Sequence, residues 1–140
     1  MKTPDVVVRR ASRSDLDLVL SASELLRSPA TAEWTQDFLD RGSNLLLLAL
    51  AGDEPVGMLV AVETSHLGAS PDLFVYDIRV REDRRHRGIA HQLVDKAVAV
   101  AEEAGCRHVW GCTDQSGTPP DESPRSPDRG TATTFTIAVP

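Results

Sequence analysis

The apolar positions of this chain change period several times, and each change marks an element. Asp5-Val6-Val7-Val8-Arg9-Arg10 is a β-branched run and reads as a first strand. Ser12 or Ser14 then offers an N-cap, and Leu16, Leu18, Val19, Leu25 and Leu26 recur at helical spacing until Ser28-Pro29 ends the stretch. A second short helix is expected over residues 31–40, with Trp34, Phe38 and Leu39 on one side and Gly42 closing it. Residues 45–50 and 56–62 are two apolar arms around Ala51-Gly52-Asp53-Glu54-Pro55, which predicts a hairpin. Gly57, inside the second arm, predicts a bulge or a close approach of another group.

A polar loop over 65–72 follows, and then Leu73-Phe74-Val75-Tyr76-Asp77-Ile78-Arg79, rich in the residues strands favour. The run 80–90 is basic and ends in Gly88-Ile89-Ala90. Leu93, Val94, Ala97, Val98, Val100 and Ala101 then form a helical stripe within 91–104, with Gly105 as its stop. Cys106 to Cys112 reads as a strand. If it is one, the two cysteines lie about 20 Å apart at ~3.3 Å per residue and cannot pair with each other. Both are expected to be packing residues. The stretch 115–130 is polar and proline-rich and predicts an irregular or disordered loop before a last strand over 133–139. The order is mixed α/β (α+β), with a long antiparallel section and one βαβ-like crossover. A single domain over 1–140 is expected.

Composition narrows the function classes. Hydrophobic content of 41% and charged content of 26% are ordinary for a globular chain. No apolar run reaches membrane-spanning length, and no apolar segment follows Lys2 as in a signal peptide, so a cytoplasmic protein is expected. A net charge of −6 argues against nucleic acid as the main partner. Against that acidic background Arg79, Arg81, Arg84, Arg85 and Arg87 are five of the 15 basic residues, within nine positions. Such a patch suits a small polyanion. His86 and His91 are five apart rather than four, and His66 and His108 are isolated. Cys-x-x-Cys, Gly-x-Ser-x-Gly and Walker patterns are absent from the sequence, so zinc, serine-hydrolase and NTPase readings lack support.

The sequence of strand, basic turn, glycine and helix has a chemical use. The first backbone N–H groups of a helix have no internal partner, and the dipole makes that end positive. A pyrophosphate can settle there. Gly88 lets backbone come close, and Arg84, Arg85 and Arg87 add guanidinium forks. A solvated, charged turn is the plain alternative.

Arg85-x-x-Gly88-x-Ala90 resembles the Arg/Gln-x-x-Gly-x-Gly/Ala signature of the GNAT superfamily of N-acetyltransferases. The longer run from Tyr76-Asp77-Ile78-x-Val80 to Arg85-x-x-Gly88-Ile89-Ala90 is similar to the aminoglycoside 3-N-acetyltransferase branch, and the likeness covers roughly residues 5–113. The resemblance implies a mostly antiparallel central sheet flanked by helices. It implies acetyl-CoA as acyl donor, its pyrophosphate on the turn formed by Arg85, His86, Arg87, Gly88, Ile89 and Ala90. It gives the splayed backbone of Ile78, Arg79 and Val80 the pantetheine arm and the acetyl carbonyl. The acceptor would be a primary amine of a small cationic molecule, an aminoglycoside among them, and a homodimer is compatible with it. No metal is implied.

Asp77 is the candidate for holding the amine and taking its proton, and an ion pair with a neighbouring arginine is its structural alternative. Simple alternation sets Tyr76, Ile78 and Val80 on one face and Asp77 and Arg79 on the other. Tyr76 is either a packing residue or a catalytic one, and it is the only tyrosine in the chain. Glu54 and Glu63 are further carboxylates near the hairpin that could line a cationic pocket, with exposed strand-end charges as the plain alternative. Relatives of this type carry a tail helix with a CoA contact and often a tyrosine, and the tail here has neither pattern. A reading-frame change and ordinary divergence both produce such a stretch. Two functions follow: an N-acetyltransferase, or a catalytically impaired acyl-CoA-binding domain of the same fold.

Overall fold

The computed structural model describes residues 5–25, 30–114 and 132–140. Six strands form one sheet in chain order: β1 (Val6–Arg10), β2 (Asn44–Ala51), β3 (Glu54–Thr64), β4 (Asp72–Val80), β5 (His108–Asp114) and β6 (Ala132–Ala138). Every neighbouring pair is antiparallel except β4 and β5, which run parallel because the helix α3 (Ile89–Glu103) crosses over between them. The fold class expected from the sequence is therefore present, a mixed α/β fold with a mostly antiparallel sheet. The expected loop over 115–130 lies outside the described residues.

The sheet is buried on both faces at its centre, and β2 records this in its sequence. Leu45, Leu47 and Ala49 join Leu59, Ala61, Leu73, Val75 and Val109 against α3. Leu46, Leu48 and Leu50, together with Met58, face the opposite side. There they meet Val19 and Ala22 of the first helical segment and Phe38 and Leu39 of the second. A strand buried on both faces reads as a continuous apolar run, as Leu-Leu-Leu-Leu-Ala-Leu does here.

The first helical segment differs from the single helix expected. It is a short 3-10 turn, then α1 (Leu16–Ser21), then a second 3-10 turn at Ser23–Leu25. Ser21 Oγ donates to the Leu18 carbonyl at 2.6 Å, a local bond that competes with helix continuation. In α2 (Ala32–Asp40) Thr31 is the N-cap, its hydroxyl accepting from the Trp34 amide at 3.1 Å. The buried face of α2 contains Thr35 rather than Trp34. Thr35 is buried because its hydroxyl donates to the Thr31 carbonyl at 2.7 Å, and Trp34 is 76% exposed.

The helix α3 buries Ile89, Leu93, Ala97 and Ala101, one residue every four. It ends in a Schellman motif. Gly105 is left-handed (φ 77°), the Cys106 amide donates to the Ala101 carbonyl at 2.8 Å, and the Gly105 amide to that of Glu102 at 3.1 Å. Cys106 and Cys112 are both free thiols. Cys106 is in the core as expected, and Cys112 is exposed.

Candidate active site

The parallel pair β4–β5 is short. Leu73, Phe74 and Val75 pair with Val109, Trp110 and Gly111, and the register stops there. From Asp77 to Val80 the strand keeps its partner on the β3 side only. Among the described residues, its other edge has no strand beside it, so backbone donors and acceptors are open. Gly111 makes the last contact before the gap possible. A Cβ there would lie 2.5 Å from the Val75 carbonyl oxygen and 2.9 Å from the Phe135 ring.

A β-bulge sits at the same place. Val60 pairs with Asp77 and the next residue, Ala61, with Val75, so Tyr76 is an extra residue in the ladder. The bulge resets the alternation. Leu73 and Val75 face α3 before it, and Ile78 and Val80 do so after it. Tyr76 therefore does not share a face with Ile78 and Val80, as alternation alone predicts. Its ring stacks on Phe74 at 6.1 Å, and Phe74 in turn meets Trp110 at 4.5 Å. The helices on that side pack against β2 and β3, so Phe74, Tyr76 and Trp110 stand beyond their edge.

Asp77 is on the Tyr76 side, opposite Val60. Its Oδ1 accepts from Arg79 Nε at 2.8 Å, and both side chains are about one-third exposed, at 28% and 32%. The ion pair expected as the structural alternative is thus present. The Tyr76 phenol is pushed above its usual range, first by partial burial and then by the Asp77 charge, so it keeps its proton.

The turn that follows joins β4 to α3. Gly88 is the N-cap, left-handed at φ 78° and ψ 10°; α3 has no side-chain cap bond and no acidic residue in its first turn. The first amides of α3 are left to an outside acceptor. Among the described residues, a Cβ built on Gly88 meets no atom within 4 Å. His86 is also left-handed, at φ 65°, which is uncommon for a residue with a side chain. Ile89 is buried, its methyl within 3.1 Å of where a Gly57 Cβ would be. Gly57 is the close approach expected of it: it lets the head of α3 sit down on the sheet, beside the open edge of β4. Ile78, Val80 and Ile89 face the core, so only their backbone is free to meet a ligand; Ala90 is exposed.

The arginine cluster divides into two kinds. Arg79 holds Asp77, and Arg81 holds Asp83 and Glu54. Among the described residues Arg84, Arg85 and Arg87 have no carboxylate within 4 Å, and Arg85 makes only a long Nε bond of 3.4 Å to the Val80 carbonyl. The three motif-proximal arginines are therefore the ones free for an anion. Arg81 and Glu54 are partners that periodicity does not reveal, since they are 27 residues apart.

A cleft of about 790 Å³ opens beside this turn. Its walls are Glu24 and Leu25, Glu54, the run Arg79, Val80, Arg81, Glu82 and Asp83, and Arg85. Glu63, the other hairpin carboxylate, is not among them. Among the described residues, no group of three or more His, Cys, Asp or Glu side chains is placed to hold a metal, and no helix is long and apolar enough to cross a membrane.

The family model described as "Acetyltransferase (GNAT) family" matches residues 16–119. The chain belongs to the GNAT family of acetyltransferases. No curated protein matches it, but many solved structures share its fold. One is an aminoglycoside acetyltransferase, meta-AAC0020, from an uncultured soil metagenomic sample, in complex with trehalose. It is 20% identical, with 80% of each chain covered and a TM-score of 0.74. Another is the aminoglycoside N-acetyltransferase AAC(6')-Iy in complex with CoA, 19% identical over 80% of this chain and 79% of that one, with a TM-score of 0.67. A third is a ribosomal-protein-alanine N-acetyltransferase from Brucella melitensis, 23% identical over 73% and 75%, with a TM-score of 0.61. Acetyltransferases of this family use acetyl-CoA. At these identities the neighbours share this chain's fold, and their acceptors differ from one another.

Proposed function

We propose that this GNAT chain transfers an acetyl group from acetyl-CoA to a primary amine of a small cationic acceptor, with an aminoglycoside as the first candidate. One observation carries the reading: the open edge of β4 leads straight to an uncapped, glycine-headed helix with unpaired arginines around it. That pairing of features suits a ligand with an extended amide-bearing arm and a diphosphate. The Ile89 and Ala90 amides and the Arg85 and Arg87 guanidinium groups would hold the diphosphate. The free backbone of Ile78, Arg79 and Val80 would align the arm. Acetyl-CoA, when bound there, supplies an activated acetyl group.

The aromatic side of β4 and β5 is the acceptor side in this reading. Phe74, Tyr76 and Trp110 give a shelf for an apolar or cationic surface. Asp77 gives a negative charge beside the gap where the strands part. Holding an amine there places it near the acetyl group, and positioning alone removes several kcal/mol of barrier. The amine must lose its proton before it attacks, and Asp77 accepts it directly or through water. Tyr76 keeps its own proton at Oη and can donate it to a leaving group.

A catalytically impaired acyl-CoA-binding domain is the second reading. The Asp77–Arg79 ion pair favours it, because a carboxylate already holding a guanidinium is less available to an amine. Calorimetry with acetyl-CoA, followed by thiol release with a panel of aminoglycosides and simple polyamines, tests both. Binding with turnover supports the first reading, binding without turnover the second, and no binding removes both.

A further inference from the structure

Arg81 is the first residue after β4, and it is held on three sides. Its backbone amide donates to the Val56 carbonyl at 2.8 Å. Its guanidinium forks onto Asp83, Nε to Oδ1 at 3.0 Å and Nη2 to Oδ2 at 2.7 Å, while Nη1 meets Glu54 at the start of β3. The side chain is only 24% exposed, and an arginine in this grip stays charged at any working pH. A guanidinium so engaged is not available to a phosphate.

The turn it precedes has little else to hold it. Glu82, Asp83, Arg85, His86, Arg87 and Gly88 are all exposed. The main-chain bonds inside it are local, Arg84 amide to Arg81 carbonyl at 2.9 Å and Arg85 amide to Glu82 carbonyl at 3.4 Å. Two left-handed residues follow, His86 and Gly88. The turn is therefore hung between two anchors, the buried Ile89 at one end and Arg81 at the other.

We propose that Arg81 is a positioning residue: by tying the start of β3 and Asp83 together, it sets the path of the turn that presents Arg85 and the head of α3 to a diphosphate. The inference rests on the acetyl-CoA reading above. Arg81→Met keeps the length of the stem and loses both forks. It should weaken CoA by about tenfold, a change that corresponds to ~1.4 kcal/mol. Pantetheine, which has the same thiol arm and no diphosphate, should bind the variant within about twofold of wild type. Arg81→Lys should fall between, because an ammonium cannot make the planar fork. Glu54→Gln and Asp83→Asn alter side chains that are 59% and 62% exposed, and each should weaken CoA several-fold without harm to folding. These two decide the matter if Arg81→Met does not fold. Unchanged CoA affinity in the folded variants overturns the proposal, as does an equal loss for CoA and pantetheine. A wild-type chain that binds neither ligand overturns the acetyl-CoA reading itself.

Discussion

Replacing Gly88 by alanine separates two consequences of one methyl group. At φ 78° the backbone is left-handed, and a side chain there costs about 1–2 kcal/mol. That cost falls on folding and lowers the melting temperature by roughly 4 °C per kcal/mol. The same Cβ meets no atom of the described residues within 4 Å, so it crowds none of them in the free protein. In the proposed complex it stands where the diphosphate must come to meet the amides of α3. Acetyl-CoA affinity should then fall by about tenfold or more, on top of the stability loss. Gly105 is the internal control. It has φ 77°, and a Cβ there also meets nothing within 4 Å, but it lies at the far end of α3. Gly105→Ala should lose the same stability and keep wild-type affinity. Chemical denaturation gives the first quantity and calorimetry the second. Equal stability losses with unchanged affinity in both variants would refute the turn as the binding site.

Other perturbations probe the remaining parts. Gly111→Ala should cost about 2–4 kcal/mol in denaturant unfolding, because the new Cβ meets the Val75 carbonyl at 2.5 Å and backbone cannot step aside. Tyr76→Phe should lower kcat and leave the acetyl-CoA KM unchanged; since its pKa is raised, the wild-type rate should persist to more alkaline pH than a free phenol allows. Asp15 is held below its usual range, first by the Arg9 side chain and then by the Ser12 amide. Its folded pKa lies below the unfolded value, so its stabilisation is full above about pH 4 and is lost as pH falls through the folded value. Asp15→Asn should therefore narrow the stability gap between neutral and acid pH, measured by denaturant midpoints at each pH. Asp77→Asn should slow turnover most at neutral pH, where an amine of pKa ~10 is charged, and least at high pH; an unchanged pH–rate profile would make Asp77 structural.

The strands and α3 were legible because their apolar periods are long and unbroken. β2 could be read from a run that has no polar face, and α3 from a stripe that repeats every four residues. The first helix was overread. Ser21 supplies a hydroxyl that bonds locally to the Leu18 carbonyl, and Leu25 beyond it falls in a 3-10 turn. Thr35 was invisible as a core residue because its polarity is cancelled by a bond to Thr31 one turn back. The turn before α3 was legible as a motif, since glycine and helix are adjacent in sequence. The sorting of its arginines was not. Charge density treats Arg81 and Arg85 alike, and only the folded hairpin brings Glu54 to one of them.

The bulge at Tyr76 explains why the candidate catalytic pair exists at all. In a regular strand two consecutive side chains point to opposite faces, so a phenol and a carboxylate at positions 76 and 77 would be separated by the sheet. Here the extra residue turns the alternation over between them. Tyr76 stacks on Phe74, on the face away from α3, and Asp77 lies across from Val60 on that same face. The rise in the Tyr76 pKa has the Asp77 charge as one of its causes, as such proximity requires. The bulge also falls where β5 stops pairing, one residue beyond Val75. Two features of the proposed site thus meet at a single irregularity in the ladder. It lies where the strand edge opens, and it sets a phenol and a carboxylate on one face at that edge. A strand without the bulge would keep its core face in register past Val75, but it would send one of the two groups into the apolar layer under α3.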